Sequence, residues 1–198
     1  MKKLSYFLLT MMIFTFFSPL YSQKQSVQSV IFHNDGYKIF QEARPNDTIF
    51  KNTAREMEEL ARQHKKKVFS ESAALLKELQ SKYKYYCDTN TSVIEYFKKK
   101  WNQPHYVNME DKWKQTTFER DRKKVKDIYS LSQGMLLAFN DWNSARNKAV
   151  KMPTDEEIVK EMAQANKILR KTIDAVLSEE PAILEAVSKE LQVIKMSK

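Results

Sequence analysis

Acid–base, nucleophilic and metal chemistry draw on a short list of side chains, and this chain offers three histidines, one cysteine and 25 carboxylates. The histidines, His33, His64 and His105, fall in three different segments. They form no His-Glu-x-x-His run for zinc and no Glu-x-x-His pair of the kind that holds two irons in a four-helix bundle. His64 lies on an apolar stripe, which suits the edge of a core better than a ligand role. Neighbouring acids such as Glu58 and Glu59, or Glu156 and Glu157, point to different faces of a helix and suit capping and solubility. Serine and threonine nucleophiles lack a Gly-x-Ser-x-Gly elbow or a Ser-x-x-Lys box. Cys87 is alone, so no intramolecular disulfide, cysteine zinc site, iron–sulfur cluster, redox pair or c-type haem attachment can be built. With only Gly36 and Gly134, a Gly-rich phosphate loop is excluded, as is a turn-dense β sandwich or barrel. The expectation is a protein without catalytic residues, metal or cofactor, whose stability comes from packing.

Charge and aromatic rings, by contrast, are concentrated. The chain of 198 residues carries a formal +9. Residues 82–126 hold twelve basic and six acidic side chains, a net +6, together with Tyr83, Tyr85, Tyr86, Tyr96, Phe97, Trp101, Tyr106, Trp113 and Phe118. The final segment, 151–198, is nearly balanced, with eight basic and nine acidic residues. One pole of the fold should therefore be basic and aromatic, centred on Lys98, Lys99, Lys100, Trp101, Lys112, Trp113, Lys114, Arg122, Lys123 and Lys124. Such a pole suits an anionic contact: lipid head groups, lipopolysaccharide or an acidic protein. The same pattern also describes core aromatics beneath a solvated lysine face.

Residues 1–22 have the layout of a secretory signal peptide: Lys2 and Lys3, an apolar or hydroxyl run from Leu4 to Phe17, then Ser18, Pro19, Leu20, Tyr21 and Ser22. Cleavage before Gln23 places small Ser22 at the −1 position and leaves a mature chain of net +7, periplasmic or secreted. The alternative is an uncleaved N-terminal membrane anchor, for which the run is short against the roughly 20 residues a span needs. Export disfavours nucleic acid as a partner.

The elements that must position the pole are helices. Residues 23–52 read as an arm, either a short hairpin around Val30, Phe32, Tyr37 and Ile39 with a turn at Asn34-Asp35-Gly36, or an extended segment. Beyond it, 53–196 reads as one helical bundle domain. Thr53 and Glu56 form a capping box, and Met57, Leu60, His64, Val68, Leu75, Leu79, Tyr83 and Tyr86 predict a helix over 53–86. Residues 87–91 read as a polar turn, and Ser92 with Glu95 opens a short helix ending before Pro104. Asn108 can cap a long third helix to Val150, with Trp113, Phe118, Val125, Ile128, Met135, Phe139, Trp142, Ala145 and Ala149 on its stripe and Gly134 as its weak point. Thr154 and Glu157 form a third box before a helix to Leu177, and Ser178 with Pro181 starts a last one. These stripes predict an all-α, elongated antiparallel bundle with coiled-coil-like long helices and room for self-association as a homo-oligomer.

In its signal peptide, small size, basic balance and long helices, the chain resembles the Skp family of periplasmic chaperones. That resemblance implies a trimer whose arms hold unfolded outer-membrane proteins. The Skp plan has an N-terminal strand leading into a β body and one pair of arms, whereas this sequence predicts five helices. The order long, short, long is similar to the minor pilus subunits of type IV secretion and conjugation systems. The expected function is an exported scaffold or adaptor, a subunit or accessory factor of a cell-envelope or secretion assembly, with protein partners in the envelope. The alternative is a periplasmic Skp-like holdase chaperone.

Overall fold

The computed structural model describes residues 29–31, 38–41 and 48–196. The expected signal peptide, its expected cleavage position and the expected turn at Asn34-Asp35-Gly36 lie outside the described residues. The protein is an all-α bundle with a short N-terminal hairpin. Strands β1 (Ser29–Ile31) and β2 (Lys38–Gln41) pair antiparallel, Ser29 opposite Gln41 and Val30 opposite Phe40, with an irregularity after Val30. Six described helices follow: α1 (Thr48–His64), α2 (Lys67–Trp101), α3 (Pro104–Val107), α4 (Asp111–Lys151), α5 (Glu156–Ala186) and α6 (Ser188–Met196).

Helix α1 begins five residues before the expected capping box. Thr53 is buried inside it and donates to the Ile49 carbonyl at 2.8 Å, so it is no cap. The earlier start is set by Phe50, fully buried with its ring 5.1 Å from Tyr83 and 5.0 Å from Phe139. The single helix expected over 53–86 is broken at Lys65, whose φ of 52° is left-handed, while its N–H closes on the Ala61 carbonyl at 3.0 Å. The chain folds back there into an antiparallel hairpin of α1 and α2, tied by Glu58 and Lys77.

The turn expected at 87–91 is absent, because α2 runs unbroken to Trp101. Thr89 and Asn90 are buried, and the Asn90 amide donates to the Val125 carbonyl of α4 at 3.2 Å, while Asp88 faces solvent and pairs with Lys84. Ser92 and Glu95 are accordingly mid-helix, with Glu95 pairing Lys98. Asn108 ends α3, and Glu110 precedes α4. Helix α4 passes through Gly134 without interruption, and its 41 residues extend about 60 Å. At the next junction the cap is Asp155, one residue after Thr154, accepting from the amides of Glu157 at 2.9 Å and Ile158 at 3.1 Å. Helix α5 then continues through Pro181 to Ala186, beyond its expected end at Leu177. Glu180 beside that proline is anchored to α2, and Ile183 two residues on packs into both halves of the core.

Helices α2 and α5 run parallel and α4 antiparallel to both, as the cross-links Ser72 to Asn166, Glu78 to Arg170 and Lys148 to Glu161 require. Strand β2 passes alongside α4. The larger core cluster joins α1, α2, α4 and α5 and includes Met57, Leu76, Leu79, Met135, Trp142 and Ile173. At its centre Asn166 donates to the Val68 carbonyl at 3.1 Å and accepts from Trp142 Nε1 at 2.8 Å, with the Ser72 hydroxyl 3.0 Å from the same oxygen. A second, smaller cluster fills the other end: Val93, Ile94, Phe97, Trp101, Phe118, Val125, Ile128 and Val187.

Gly134 of α4 packs directly against Val176 of α5. A Cβ there would lie 2.8 Å from Val176 Cγ2, on a β-branched side chain with little rotamer freedom in a helix. Alanine gains up to about 1 kcal/mol of helix propensity over glycine, whereas overpacking costs about 1–3 kcal/mol. Gly134→Ala should therefore destabilise the protein by about 1 kcal/mol in urea unfolding. In a Val176→Ala background the same change should reverse sign and stabilise by about 0.5–1 kcal/mol.

Candidate functional site

The basic pole is assembled by the last turns of α2, the one-turn α3, the first third of α4 and, folded across them, α6. Trp101 ends α2 buried, its ring 5.2 Å from Phe118 and 5.5 Å from Tyr106. Asp121 of α4, almost without solvent contact, accepts from Lys100 Nζ at 2.5 Å and Trp101 Nε1 at 3.1 Å. The Lys100 ammonium also stands over the rings of Tyr106 at 5.0 Å and Phe97 at 5.3 Å. Removing this lysine from water is thus compensated by a charge, a ring face and a fixed geometry.

Two further lysines of the basic segment are answered by acids of the C-terminal helices. Lys124 reaches Glu190 of α6 at 2.7 Å, both largely buried. The second carboxylate oxygen of Glu190 is buried with no hydrogen-bond partner among the described residues. Lys82 holds Glu180 of α5 at 2.8 Å, and the Tyr86 hydroxyl donates to the same carboxylate at 3.0 Å. Burial, and then the Glu180 contact, push the Tyr86 phenol far above its ordinary range. Burial also raises Tyr96, with the Glu190 charge adding to it.

The ten residues expected to form one anionic-contact surface therefore separate. Lys100, Trp101, Lys114 and Lys124 are turned inward or bound to buried carboxylates and are unavailable to a partner. The physical reason is that amphipathic stems and indole rings fill the small core at this end while their polar tips find Asp121 and Glu190. Lys98, Arg122 and Lys123 are bound to Glu95, Glu119 and Asp127 on their own helices, at 2.6, 3.2 and 2.5 Å, with some or most of each side chain still in solvent. Lys99, Lys112 and Trp113 are exposed. Trp113, expected on the buried stripe of α4, is 61% exposed. Of the nine aromatics in the segment, only Trp113 and Tyr85 are exposed; five are buried in the two cores and two are half-buried.

Sequence reasoning missed Asp121, Glu180 and Glu190, because a lone acid in a polar helix face looks solvated until its helix is placed against a lysine. It also missed Asn166, whose neighbours Ala165, Leu169 and Ile173 carried the stripe signal. His64 is half-buried at the end of α1, while His105 is exposed on α3 against Tyr106 at the far end of α2. Among the described residues no group of three or more His, Cys, Asp or Glu is placed to hold a metal ion. No described helix is long and apolar enough to cross a membrane. Elsewhere an open groove of about 680 Å³ runs between α2 and α5, lined by Ala74, Leu75, Ala163, Ile168, Lys167 and Lys171. No family model, curated protein or solved structure matches this chain.

Asp121→Ala strands the Lys100 ammonium and should cost about 3–5 kcal/mol in chemical unfolding, whereas Lys100→Met with Asp121→Leu removes the buried charge and should cost only the about 1–3 kcal/mol of the Trp101 N–H left without its acceptor. Tyr86→Phe should cost about 1.5–3 kcal/mol at neutral pH, the value of a hydrogen bond to a charged group. A raised phenol contributes stability that is complete below the unfolded tyrosine pKa of about 10 and declines above it. The gap between wild type and Tyr86→Phe should accordingly narrow above about pH 10, by at most about 1.4 kcal/mol per pH unit, in guanidinium titrations across that range.

Proposed function

We propose that this chain is an exported, non-enzymatic helical adaptor, a subunit or accessory factor of a cell-envelope or secretion assembly, which docks on an anionic partner through the exposed part of its basic pole. The observation that carries the reading is Trp113, a large aromatic held in solvent in the first turn of α4 beside exposed Lys112. Exposed tryptophan flanked by cations is the composition of contact surfaces, where an indole supplies buried area and the charges supply steering. Lys99 of α2 and Arg120, two turns beyond Trp113 on α4, add exposed cations with no ion pair among the described residues. The partner is a protein of the envelope with an acidic surface; anionic lipid or lipopolysaccharide would meet the same groups. The N-terminal apolar run supports a periplasmic or secreted location after cleavage near Ser22, or else a membrane anchor.

Lys100 is locked to buried Asp121, so charge reversal of 98 to 100 as a block would test the fold and not the surface. The informative variant is Lys99→Glu with Lys112→Glu. A photo-crosslinking residue at position 113 in the native host should capture one set of partners in fixed ratio, with yield falling at least tenfold in the double variant at unchanged helicity. Capture of many unrelated outer-membrane chains in proportion to their synthesis would replace the adaptor with a Skp-like holdase. Capture that ignores the double variant would reduce the pole to a solvated face.

A further inference from the structure

Helix α6 lies over an apolar trough. Its floor is Val93, Ile94 and Phe97 of α2 with Val125 and Ile128 of α4, and Val187, Leu191 and Ile194 enter it from above. A nine-residue helix is too short to be stable alone in water, so the trough is what keeps α6 helical. The outer side of α6 stays wet, with Val193 and Met196 exposed. The chain leaves α5 at Val187, which is itself buried in this cluster, its N–H on the Leu184 carbonyl at 3.3 Å and its carbonyl accepting from the Leu191 N–H at 3.0 Å. A polar contact of α6 is Lys124 with Glu190, and one buried oxygen of Glu190 has no partner among the described residues. An unpaired buried acceptor offsets part of what apolar burial gains, while the lysine still selects an acid at that position.

We infer that this trough is a helix-docking site which α6 occupies in cis and which an amphipathic helix of a partner protein occupies in its place. The occupant is specified by α6 itself: apolar, acidic, apolar and apolar side chains at the spacing of Val187, Glu190, Leu191 and Ile194, with the acid facing Lys124. Helix-in-groove recognition reads this i, i+3, i+4, i+7 pattern. The inference deepens the docking reading above, supplying the apolar half of a contact whose cationic half is the exposed part of the pole.

The test uses the full-length chain with Leu191→Asp and Ile194→Asp, which frees the trough, and a fluorescein-labelled synthetic peptide of residues 185–196 as probe. Fluorescence anisotropy should show saturable 1:1 binding at least tenfold tighter to the variant than to wild type, where tethered α6 competes at high effective concentration. Adding Lys124→Glu should weaken the peptide about tenfold, and a Glu190→Lys peptide should recover that loss. Equal affinity for variant and wild type, or no saturable binding, overturns the inference. Should the variant lose its helical signal, hydrogen exchange on the wild type decides. Amides of α6 exchanging at least a hundredfold faster than those of Val93 and Val125 uphold an exchangeable helix, and equal rates overturn it. No anionic partner enters either experiment, so failure here leaves the crosslinking result standing, and the reverse holds too.

Discussion

Polar side chains at four points along α2 fix where the long helices sit. Ser72 meets Asn166 and Lys82 meets Glu180, both on α5; Asn90 meets the Val125 carbonyl and Lys100 meets Asp121, both on α4. Apolar stripes repeated at three and four residues tolerate a slip of one helix past another, since each new register again presents an apolar row. A slip of one heptad would part each of these donors from its acceptor and leave Ser72, Asn90, Asn166 and Asp121 buried without a partner. Such contacts add little to net stability compared with well-packed apolar replacements, yet they penalise every wrong register. In a fold with two glycines and one cysteine, that is how one arrangement of long helices is selected over its neighbours.

The same contacts redistribute charge. Along the sequence the basic residues gather in 82–126 while the last segment is balanced, which would make a strongly polarised rod. Folding returns α5 and α6 over the basic segment, where Glu180 and Glu190 bind Lys82 and Lys124. Asp121 neutralises Lys100 within the segment itself. What stays cationic and solvated is a smaller set around Lys99, Lys112 and Arg120, next to the exposed Trp113. The pole thus presents fewer charges than composition implies, arranged around one exposed ring.

The helical class and most of the core were legible, because burial follows the 3.6-residue period. Met57, Leu60, Val68, Leu79, Tyr83, Phe118, Val125, Met135, Phe139, Met162, Leu169 and Ile173 all lie where their stripes put them. Boundaries were not legible, and the errors share a cause. Thr53, Ser92 and residues 87–91 carry polar signals of helix ends, but they lie inside helices, where Thr53 is satisfied by its own backbone, Asn90 by the backbone of α4 and Glu95 by Lys98. Conversely, the break at Lys65 carries no glycine and follows from α1 turning back on α2. The candidate surface was half legible. Sequence locates the lysines and rings, but which of them face water depends on helix pairing, and only the fold separates Trp113 from Trp101.

Stability is also unevenly placed. The larger core joins 23 buried residues from four helices, whereas the pole is closed by eight, one of them at the α5–α6 junction. Local opening costs least where few apolar contacts hold an element, and the contacts of α6 include Leu191, Ile194 and the Glu190–Lys124 pair, with Val187 at its junction with α5. Binding elements are drawn from that low-stability end, since a surface must be exchangeable to accept a partner. The exposed tryptophan, the solvated lysines and the short α6 all lie at the same end of the bundle, against an α2–α4 pair braced by Asp121. A rigid floor with a removable cover is the arrangement that lets a contact form without unfolding the rest.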